Sequence, residues 1–74
     1  MEKGEVVPVE GDIRLGQFLK LASLADSGAQ ARELVADGAV RVDGEVETRR
    51  GRRLPRGARV EVSTPTGVRA AVVG

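Results

Sequence analysis

The sequence predicts an α+β fold in which two short helices are followed by a run of short, mostly antiparallel strands. Between residues 15 and 35, apolar residues recur at helical spacing. From residue 40 onward, valines alternate with polar residues, as in half-buried strands. Turn-forming dipeptides separate these strands, so that each can pair with a neighbour along the chain. The 74 residues are expected to form a single domain.

A short edge strand is the first predicted element. Val6, Val7 and Val9 follow a charged opening, and Pro8 lacks the N–H group that an interior strand would donate. Residues 1–5 are expected to be mobile.

The first helix is predicted from four apolar residues on one face, at i, i+3, i+4 and i+7: Leu15, Phe18, Leu19 and Ala22. Asp12 or Arg14 caps it, and it ends near Ser23. A short connection leads to a second helix, so the two helices should pack against each other. Phe18 and Leu34 are expected near the centre of the core.

The second helix begins with the S-x-x-Q pattern of a capping box. The Ser27 hydroxyl would accept a hydrogen bond from the Gln30 N–H, and the Gln30 side chain would reach back to the Ser27 N–H. Gly38 can adopt the left-handed conformation that ends a helix. The apolar face consists of Ala31, Leu34 and Val35.

A hairpin follows, because Asp43-Gly44 is a dipeptide favoured in type I′ turns. In a two-residue hairpin Val42 lies opposite Glu45, which puts Val46 on the face of Arg41 rather than on that of Val42. A bulge or a longer loop would remove this mismatch, and the sequence leaves the choice open.

The last third of the chain begins with a basic, irregular segment, residues 48–53. Residues 54–57 are predicted to form a type I turn with proline second and glycine fourth. Residues 60–63 form a strand, residues 64–67 a second turn, and residues 68–73 the last strand.

The net charge of +1 conceals a marked asymmetry along the chain. Residues 1–47 carry five basic and ten acidic side chains, whereas residues 48–59 carry six arginines and no acid. Arginine presents a planar fork of donors that matches phosphate oxygens, and six such groups without an acid favour anion binding. The alternative is a solvated loop whose arginines pair with Glu45, Glu47 and Glu61.

The composition argues against several classes of function. The chain has no His and no Cys, and therefore lacks the usual general base, thiol nucleophile and nitrogen or sulfur metal ligands. We expect no catalytic activity, cofactor, metal or small-molecule substrate. No apolar run is long enough to span a membrane, and no signal peptide is evident, so a cytoplasmic protein is expected. We also expect it to be a monomer.

The central stretch resembles the S-four RNA-binding domain, named for small-subunit ribosomal protein four. The residues that carry the resemblance match the family pattern in place: Arg14-Leu15, Ser27, Ala31-Arg32, Gly38, Val40, Val42, Asp43 and Gly44. The continuation V-E-T-R-R-G-R-R-L is similar to the short, stand-alone bacterial members, the YbcJ-like group. Asp43 departs from the Asn of many members, which argues against its touching phosphate. The resemblance covers about residues 13–62.

This resemblance implies an αα hairpin packed on a small curved sheet (the αL motif) with RNA as the ligand. Together with the arginine-rich segment, it gives the candidate RNA-binding residues Arg14, Lys20, Ser27, Gln30, Arg32, Arg41, Thr48, Arg49, Arg50, Arg52 and Arg53. The single aromatic residue, Phe18, is placed in the core. Stacking on unpaired bases is therefore disfavoured, and structured RNA such as a ribosomal or transfer RNA element is the expected partner, with the ribosome as a candidate site of action.

Two other functions compete with this prediction. A protein–protein adaptor, associated with the ribosome, could use the acidic half and the basic segment to bridge partners without RNA specificity. A binder of double-stranded DNA ranks lower, since neither helix carries the base-reading side chains of a recognition helix.

Overall fold

The computed structural model describes residues 5–74, which form two helices and seven strands. In chain order these are β1 (Glu5–Val7), β2 (Ile13–Arg14), α1 (Leu15–Leu21), α2 (Gly28–Ala36), β3 (Val40–Val42), β4 (Glu45–Val46), β5 (Arg53–Leu54), β6 (Arg59–Thr64) and β7 (Gly67–Val73). The predicted α+β class is confirmed. The expected mobility of residues 1–5 falls, for residues 1–4, outside the described residues, and Glu5 begins β1.

Five of the strands form one sheet in the order β1-β7-β6-β3-β4. All neighbours are antiparallel except β1 and β7, which run parallel. The first strand therefore lies at an edge, as Pro8 and the short valine run predict.

A second, two-stranded sheet was not predicted from the sequence. It pairs β2 with β5 in antiparallel fashion, with Ile13 opposite Leu54 and Arg14 opposite Arg53. Each strand contributes two residues, too few to show the alternation that identifies a strand. This sheet joins the start of α1 to the basic segment.

One hydrophobic cluster includes residues of both helices and of the large sheet. Phe18 is fully buried, and so are Val40 of β3 and Val60 of β6. The prediction that Leu34 lies near the centre is wrong, because this residue is only partly buried against the cluster. In α2 it is Ala31 and Val35 that are buried.

Each helix is followed, two residues after its last residue, by a residue with left-handed backbone conformation. Ser23 (φ 59°) ends α1, and the Leu24 N–H then donates to the Leu19 carbonyl at 2.8 Å. Gly38 (φ 74°) ends α2 as predicted, and the Ala39 N–H donates to the Leu34 carbonyl at 3.0 Å. These are the hydrogen bonds of the Schellman motif.

The start of α2 confirms half of the predicted capping box. The Ser27 Oγ accepts a hydrogen bond from the Gln30 N–H at 3.1 Å. The Gln30 side chain, however, accepts from the N–H of Asp26 rather than from that of Ser27. Neither helix within residues 5–74 is long and apolar enough to cross a membrane.

The hairpin between β3 and β4 has the predicted two-residue turn. Asp43 (φ 52°) and Gly44 (φ 89°) both have positive φ, as a type I′ turn requires. Arg41 pairs with Val46 and Val42 with Glu45, so no bulge corrects the mismatch and Val46 stays 52% exposed. The Asp43 carboxylate accepts a hydrogen bond from the backbone of β6.

The turn before β6 differs from its prediction. The Ala58 N–H donates to the Pro55 carbonyl at 3.1 Å, so the turn spans residues 55–58 rather than 54–57. Gly57 is its third residue with φ 92°, as in a type II turn and not a type I turn. The later turn is confirmed, since Thr64 pairs with Gly67 across a two-residue connection.

Candidate nucleic-acid interface

The first turn of α1 is closed by the basic segment, here called the arginine loop (residues 48–53). The N–H groups at the start of a helix have no partner within the helix. In this protein the Leu15 N–H donates to the Arg52 carbonyl at 2.8 Å, and the Gly16 N–H donates to the Arg50 carbonyl at 2.9 Å. Backbone hydrogen bonds thus join the start of α1 to a loop that lies more than thirty positions later in the sequence.

Arg14 adds a side-chain contact to this junction. Its guanidinium Nη1 donates to the Gly51 carbonyl at 2.6 Å, while its backbone N–H donates to the Gln17 side chain at 3.1 Å. Three successive carbonyl groups of the arginine loop therefore point to α1 and its N-cap. Hydrogen bonds to α1 hold the loop in place, and Arg14 is held by hydrogen bonds to the loop and to Gln17 of α1.

A shallow groove of about 320 Å³ lies beside this junction, between α1, the start of α2 and the arginine loop. Three cationic side chains line it, Arg14, Lys20 and Arg50, together with Gln17. The rest of its wall consists of small residues: Gly16, Gly28, Ala31 and Gly51. Among residues 5–74, no acidic residue lines the groove.

The three cations of the groove form no ion pair with any carboxylate that the structure describes. Within residues 5–74, no carboxylate lies within 4.0 Å of the charged groups of Arg14, Lys20 or Arg50. Like charges that converge without a counter-charge create a local positive potential, which an anion can offset. The small residues of the wall let such an anion approach the backbone closely.

Gly16 creates the space for the Arg50 side chain. A Cβ atom at this position would lie 2.6 Å from the Arg50 Cγ and 3.1 Å from its Cδ. The aliphatic part of Arg50 therefore passes directly over the first turn of α1, and both Gly16 and Arg50 line the groove.

Two other arginines of the loop are bound to a buried carboxylate. Glu47 is 9% exposed at its side chain and accepts hydrogen bonds from the Arg49 N–H at 2.9 Å and from the Arg52 Nη1 at 2.9 Å. The Arg49 Nε lies 3.4 Å from the same carboxylate. The backbone N–H of Arg49 and the guanidinium of Arg52 lower the pKa of Glu47 to about 2, so the carboxylate is charged at neutral pH.

The arginine-rich segment is therefore less free than its sequence suggests. Besides Arg49 and Arg52, Arg53 lies 3.8 Å from Asp12, and Arg59 lies 3.6 Å from Glu61. The alternative of pairing with acids thus holds for four of the six arginines, three of them through the predicted partners Glu47 and Glu61. Asp12, which precedes the segment by some forty positions, was not foreseen as a partner.

The remaining candidate residues lie outside the groove lining. Ser27 and Gln30 are exposed at the start of α2, next to Gly28, and their side chains cap that helix. Arg32 is exposed on α2. Arg41 is exposed on β3 opposite Val46, and Thr48 is exposed at the start of the arginine loop. The groove therefore unites only Arg14, Lys20 and Arg50 among the predicted residues.

Sequence reasoning missed Gly16, weighed Gln17 only as a weaker candidate on the exposed side of the first helix, and named Glu47 only as one of three acids that could pair with the arginines. A glycine in the first turn of a helix is unfavourable by propensity, so Gly16 carried a signal of close approach. Gln17 sits three residues after the N-cap, the position from which a side chain can reach back to cap a helix. Glu47 is the last acid before the arginines, but its burial depends on the tertiary structure.

Comparison with known proteins identifies the family of the chain. The profile of the family described as the S4 domain matches residues 5–69. A Bacillus subtilis (strain 168) protein named "Probable ribosome maturation protein RlbA" is 46% identical over 50 residues, which cover 68% of this chain and 70% of that protein. An Escherichia coli (strain K12) protein named "Putative RNA-binding protein YbcJ" is 44% identical over 48 residues, covering 65% and 69%.

A longer protein shares the same segment. The tyrosine–tRNA ligase of Thiobacillus denitrificans (strain ATCC 25259 / T1) is 40% identical over 52 residues, which cover 70% of this chain and 13% of the ligase. The similarity is thus confined to a small part of that enzyme. Because the family profile spans most of the described residues, and two small proteins match over about two thirds of their own length, the chain belongs to the S4 domain family.

Proposed function

We propose that this protein is a non-catalytic module that binds structured RNA, ribosomal or transfer RNA-like, through the groove between α1, α2 and the arginine loop. The observation that carries the proposal is the convergence of Arg14, Lys20 and Arg50 on a groove that no acidic residue of the described part of the chain lines. Membership of the S4 domain family supports RNA as the anion. The αα hairpin on a curved sheet, as the resemblance implies, is part of the same proposal.

The chemistry of the groove suits a phosphate backbone. Arg14 and Arg50 offer guanidinium donors, and Lys20 offers an ammonium group at the same surface. Gly28 has open space where its Cβ would be, so a ribose-phosphate chain can lie close to the start of α2. Ser27, Gln30 and Arg32 flank this path on α2 and are proposed as additional contacts.

The preference for structured RNA follows from what the chain lacks on its surface. Proteins that read single strands usually stack bases on exposed aromatic side chains. The only aromatic residue here is Phe18, which is fully buried. Recognition is therefore expected to rest on phosphates, 2′-hydroxyl groups and the shape of a folded RNA.

The names of the relatives favour ribosomal RNA as the first partner to test. One small relative is named for ribosome maturation and another for RNA binding. Because a tRNA ligase shares the same segment, transfer RNA is the second candidate. We propose that the protein acts on the ribosome, or beside a partner enzyme, as a monomeric cytoplasmic domain.

Fluorescence anisotropy over a salt series tests the proposal. It compares a ribosomal RNA hairpin, a transfer RNA, single-stranded RNA and duplex DNA of similar length. The wild type should prefer the structured RNAs. Arg50→Gln should weaken this binding and flatten the plot of log K against log salt by about 0.7 to 0.9, the value for one lost phosphate contact.

Arg56→Gln is the matched control for Arg50→Gln. Both arginines are exposed, both lie in turns, and neither is within 4.0 Å of a carboxylate in residues 5–74, yet only Arg50 lines the groove. Arg56→Gln should leave the salt slope unchanged. Equal effects of the two variants, or equal weak binding of the wild type to every nucleic acid, would reduce the groove to a nonspecific polyanion surface and favour a protein adaptor.

A further inference from the structure

We propose that Glu47 is a specificity-determining residue of the RNA interface, because it withholds Arg52 from phosphate and fixes the backbone of the arginine loop. This inference rests on the proposed function. It assigns to an acidic side chain a role opposite to that of its cationic neighbours: Glu47 limits which arginines can bind RNA.

The contacts of Glu47 differ from those of an ordinary surface acid. Its side chain is 9% exposed, and both carboxylate oxygens have partners. Oε1 accepts from the Arg52 guanidinium at 2.9 Å, and Oε2 accepts from the backbone N–H of Arg49 at 2.9 Å. The carboxylate thus binds the arginine loop at two points three residues apart.

Arg52 is the side chain that this contact removes from the RNA surface. It is 35% exposed, compared with 80% for Arg49, and it is paired at hydrogen-bonding distance. To bind a phosphate it would have to leave a buried carboxylate without its partner, which is unfavourable. The more exposed Arg49 is held chiefly through its backbone N–H.

The fixed backbone has a direct consequence for the groove. With the Arg49 N–H held, the Arg52 N–H donates to the Arg49 carbonyl at 3.2 Å and closes a turn. Within this turn the Arg50 carbonyl accepts from the Gly16 N–H, and the Arg50 side chain lies over Gly16. Glu47 therefore acts through the loop on a groove residue that it does not contact.

Selectivity follows because free arginines bind any polyanion. A mobile loop with all its cations exposed would gain affinity for single strands and duplexes alike, since phosphate contacts carry no shape information of their own. In this protein Glu47 neutralises Arg52 and fixes the loop that carries Arg50. Such a loop binds most tightly to an RNA whose phosphates match the position of the groove. The acid lowers nonspecific affinity more than specific affinity.

The test compares Glu47→Gln with Glu45→Gln in the anisotropy assay. Both variants raise the net charge by one, and Glu45 is exposed and within 4.0 Å of no cationic group in residues 5–74. We expect Glu47→Gln to bind single-stranded RNA more tightly, with a salt slope steeper by about 0.7 for the released Arg52. The ratio of hairpin to single-strand affinity should fall, whereas Glu45→Gln should keep the wild-type slope and ratio.

A purely structural role of Glu47 gives a different result. In that case Glu47→Gln, besides the lower stability expected of it in either case, would weaken binding to every nucleic acid without a steeper slope. That outcome, or identical behaviour of the two variants, would overturn the inference while leaving a hairpin preference of the wild type intact. A wild type without preference would instead overturn the proposed function.

Arg52→Gln provides a second measurement that does not depend on the folding of Glu47→Gln. Because Arg52 is already held by the carboxylate, its replacement should leave the slope for the RNA hairpin unchanged. A decrease of about 0.7, as expected for Arg50→Gln, would show that Arg52 contacts phosphate and would overturn the inference.

Discussion

At the scale of single residues, Gly16 shows how the absence of a side chain shapes the groove. Arg50 would be an ordinary exposed arginine if its aliphatic part could not pass over the first turn of α1. The 2.6 Å distance between its Cγ and the position of a Gly16 Cβ excludes any larger residue without movement of Arg50. Glycine is unfavourable in a helix, but at this position it lets the Arg50 side chain pass close to the helix backbone.

Gly16→Ala is expected to separate stability from binding. The methyl group favours the helix by up to about 1 kcal/mol, while the exposed Arg50 side chain moves aside. Unfolding free energy, measured with urea, should change by less than about 1 kcal/mol. RNA hairpin affinity should fall as it does for Arg50→Gln, and the double variant should bind no more weakly than either single variant.

Gly28→Ala is the control for Gly16→Ala. Gly28 also lines the groove, but a Cβ there would meet no atom within 4 Å. Its effect on affinity should therefore add to that of Arg50→Gln. Additive effects for Gly16→Ala would contradict the displacement of Arg50.

The lowered pKa of Glu47 predicts that the stability of the fold depends on pH. Its pKa of about 2 in the folded protein lies below the ordinary value of 4.5, so the unfolded chain takes up the proton first as the pH falls. The carboxylate thus stabilises the fold fully above pH 4.5, and this contribution is lost between about pH 4.5 and 2. Urea unfolding of wild type and Glu47→Gln from pH 6 to 2 should give a difference that is constant above the window and shrinks within it. A difference independent of pH would contradict this assignment.

At the scale of elements, the two helices contribute unequally to the core. In α1, Leu15, Phe18 and Leu19 are all fully buried, as the spacing of the apolar residues predicts. In α2, Ala31 and Val35 are buried but Leu34 remains partly exposed, because its position faces the rim of the cluster. Helical periodicity identified the correct side of each helix, but not the depth of each residue.

Phe18→Ala and Leu34→Ala should therefore differ in cost. Removal of the buried phenyl ring should lower the free energy of unfolding by about 3 to 5 kcal/mol, a large share of what so small a domain has. Leu34→Ala should cost about 1 to 2 kcal/mol, since part of its side chain is already in water. Equal losses in urea titrations would mean that Leu34 is buried as deeply as Phe18.

The elements also show which features are readable from sequence. Ser27, Gly38 and the Asp43-Gly44 turn were predicted correctly, because each depends on hydrogen bonds and φ values set within a few residues. The pairing of β2 with β5 was not predicted, since two-residue strands have no pattern and their partners lie about forty positions apart. The turn at residues 55–58 was misplaced by one residue, because Pro55 suited more than one position of a turn.

At the scale of the whole molecule, one hydrophobic cluster joins both helices and the large sheet. This packing brings together groove residues that lie far apart in the sequence. The cations of the groove come from both ends of the sequence, Arg14 and Lys20 from its first third and Arg50 from its last. The arginine run was evident in the sequence. Which of its members are neutralised was not, since Glu45, Glu47 and Glu61 were equal candidates as partners and Asp12 was not among them. Composition thus indicated the ligand class, and tertiary pairing narrows the candidate site to a few residues.

The hydrogen bonds from Leu15 and Gly16 to the arginine loop make helix fraying and loop opening a single event. Their amide protons can exchange with solvent only when the loop carbonyls of Arg52 and Arg50 move away. The exchange rates of these two amides therefore measure the population of the closed loop. A ligand that binds the closed form raises the population of the closed loop and so slows the exchange of both amides. Part of its binding free energy then stabilises the backbone hydrogen bonds between α1 and the arginine loop.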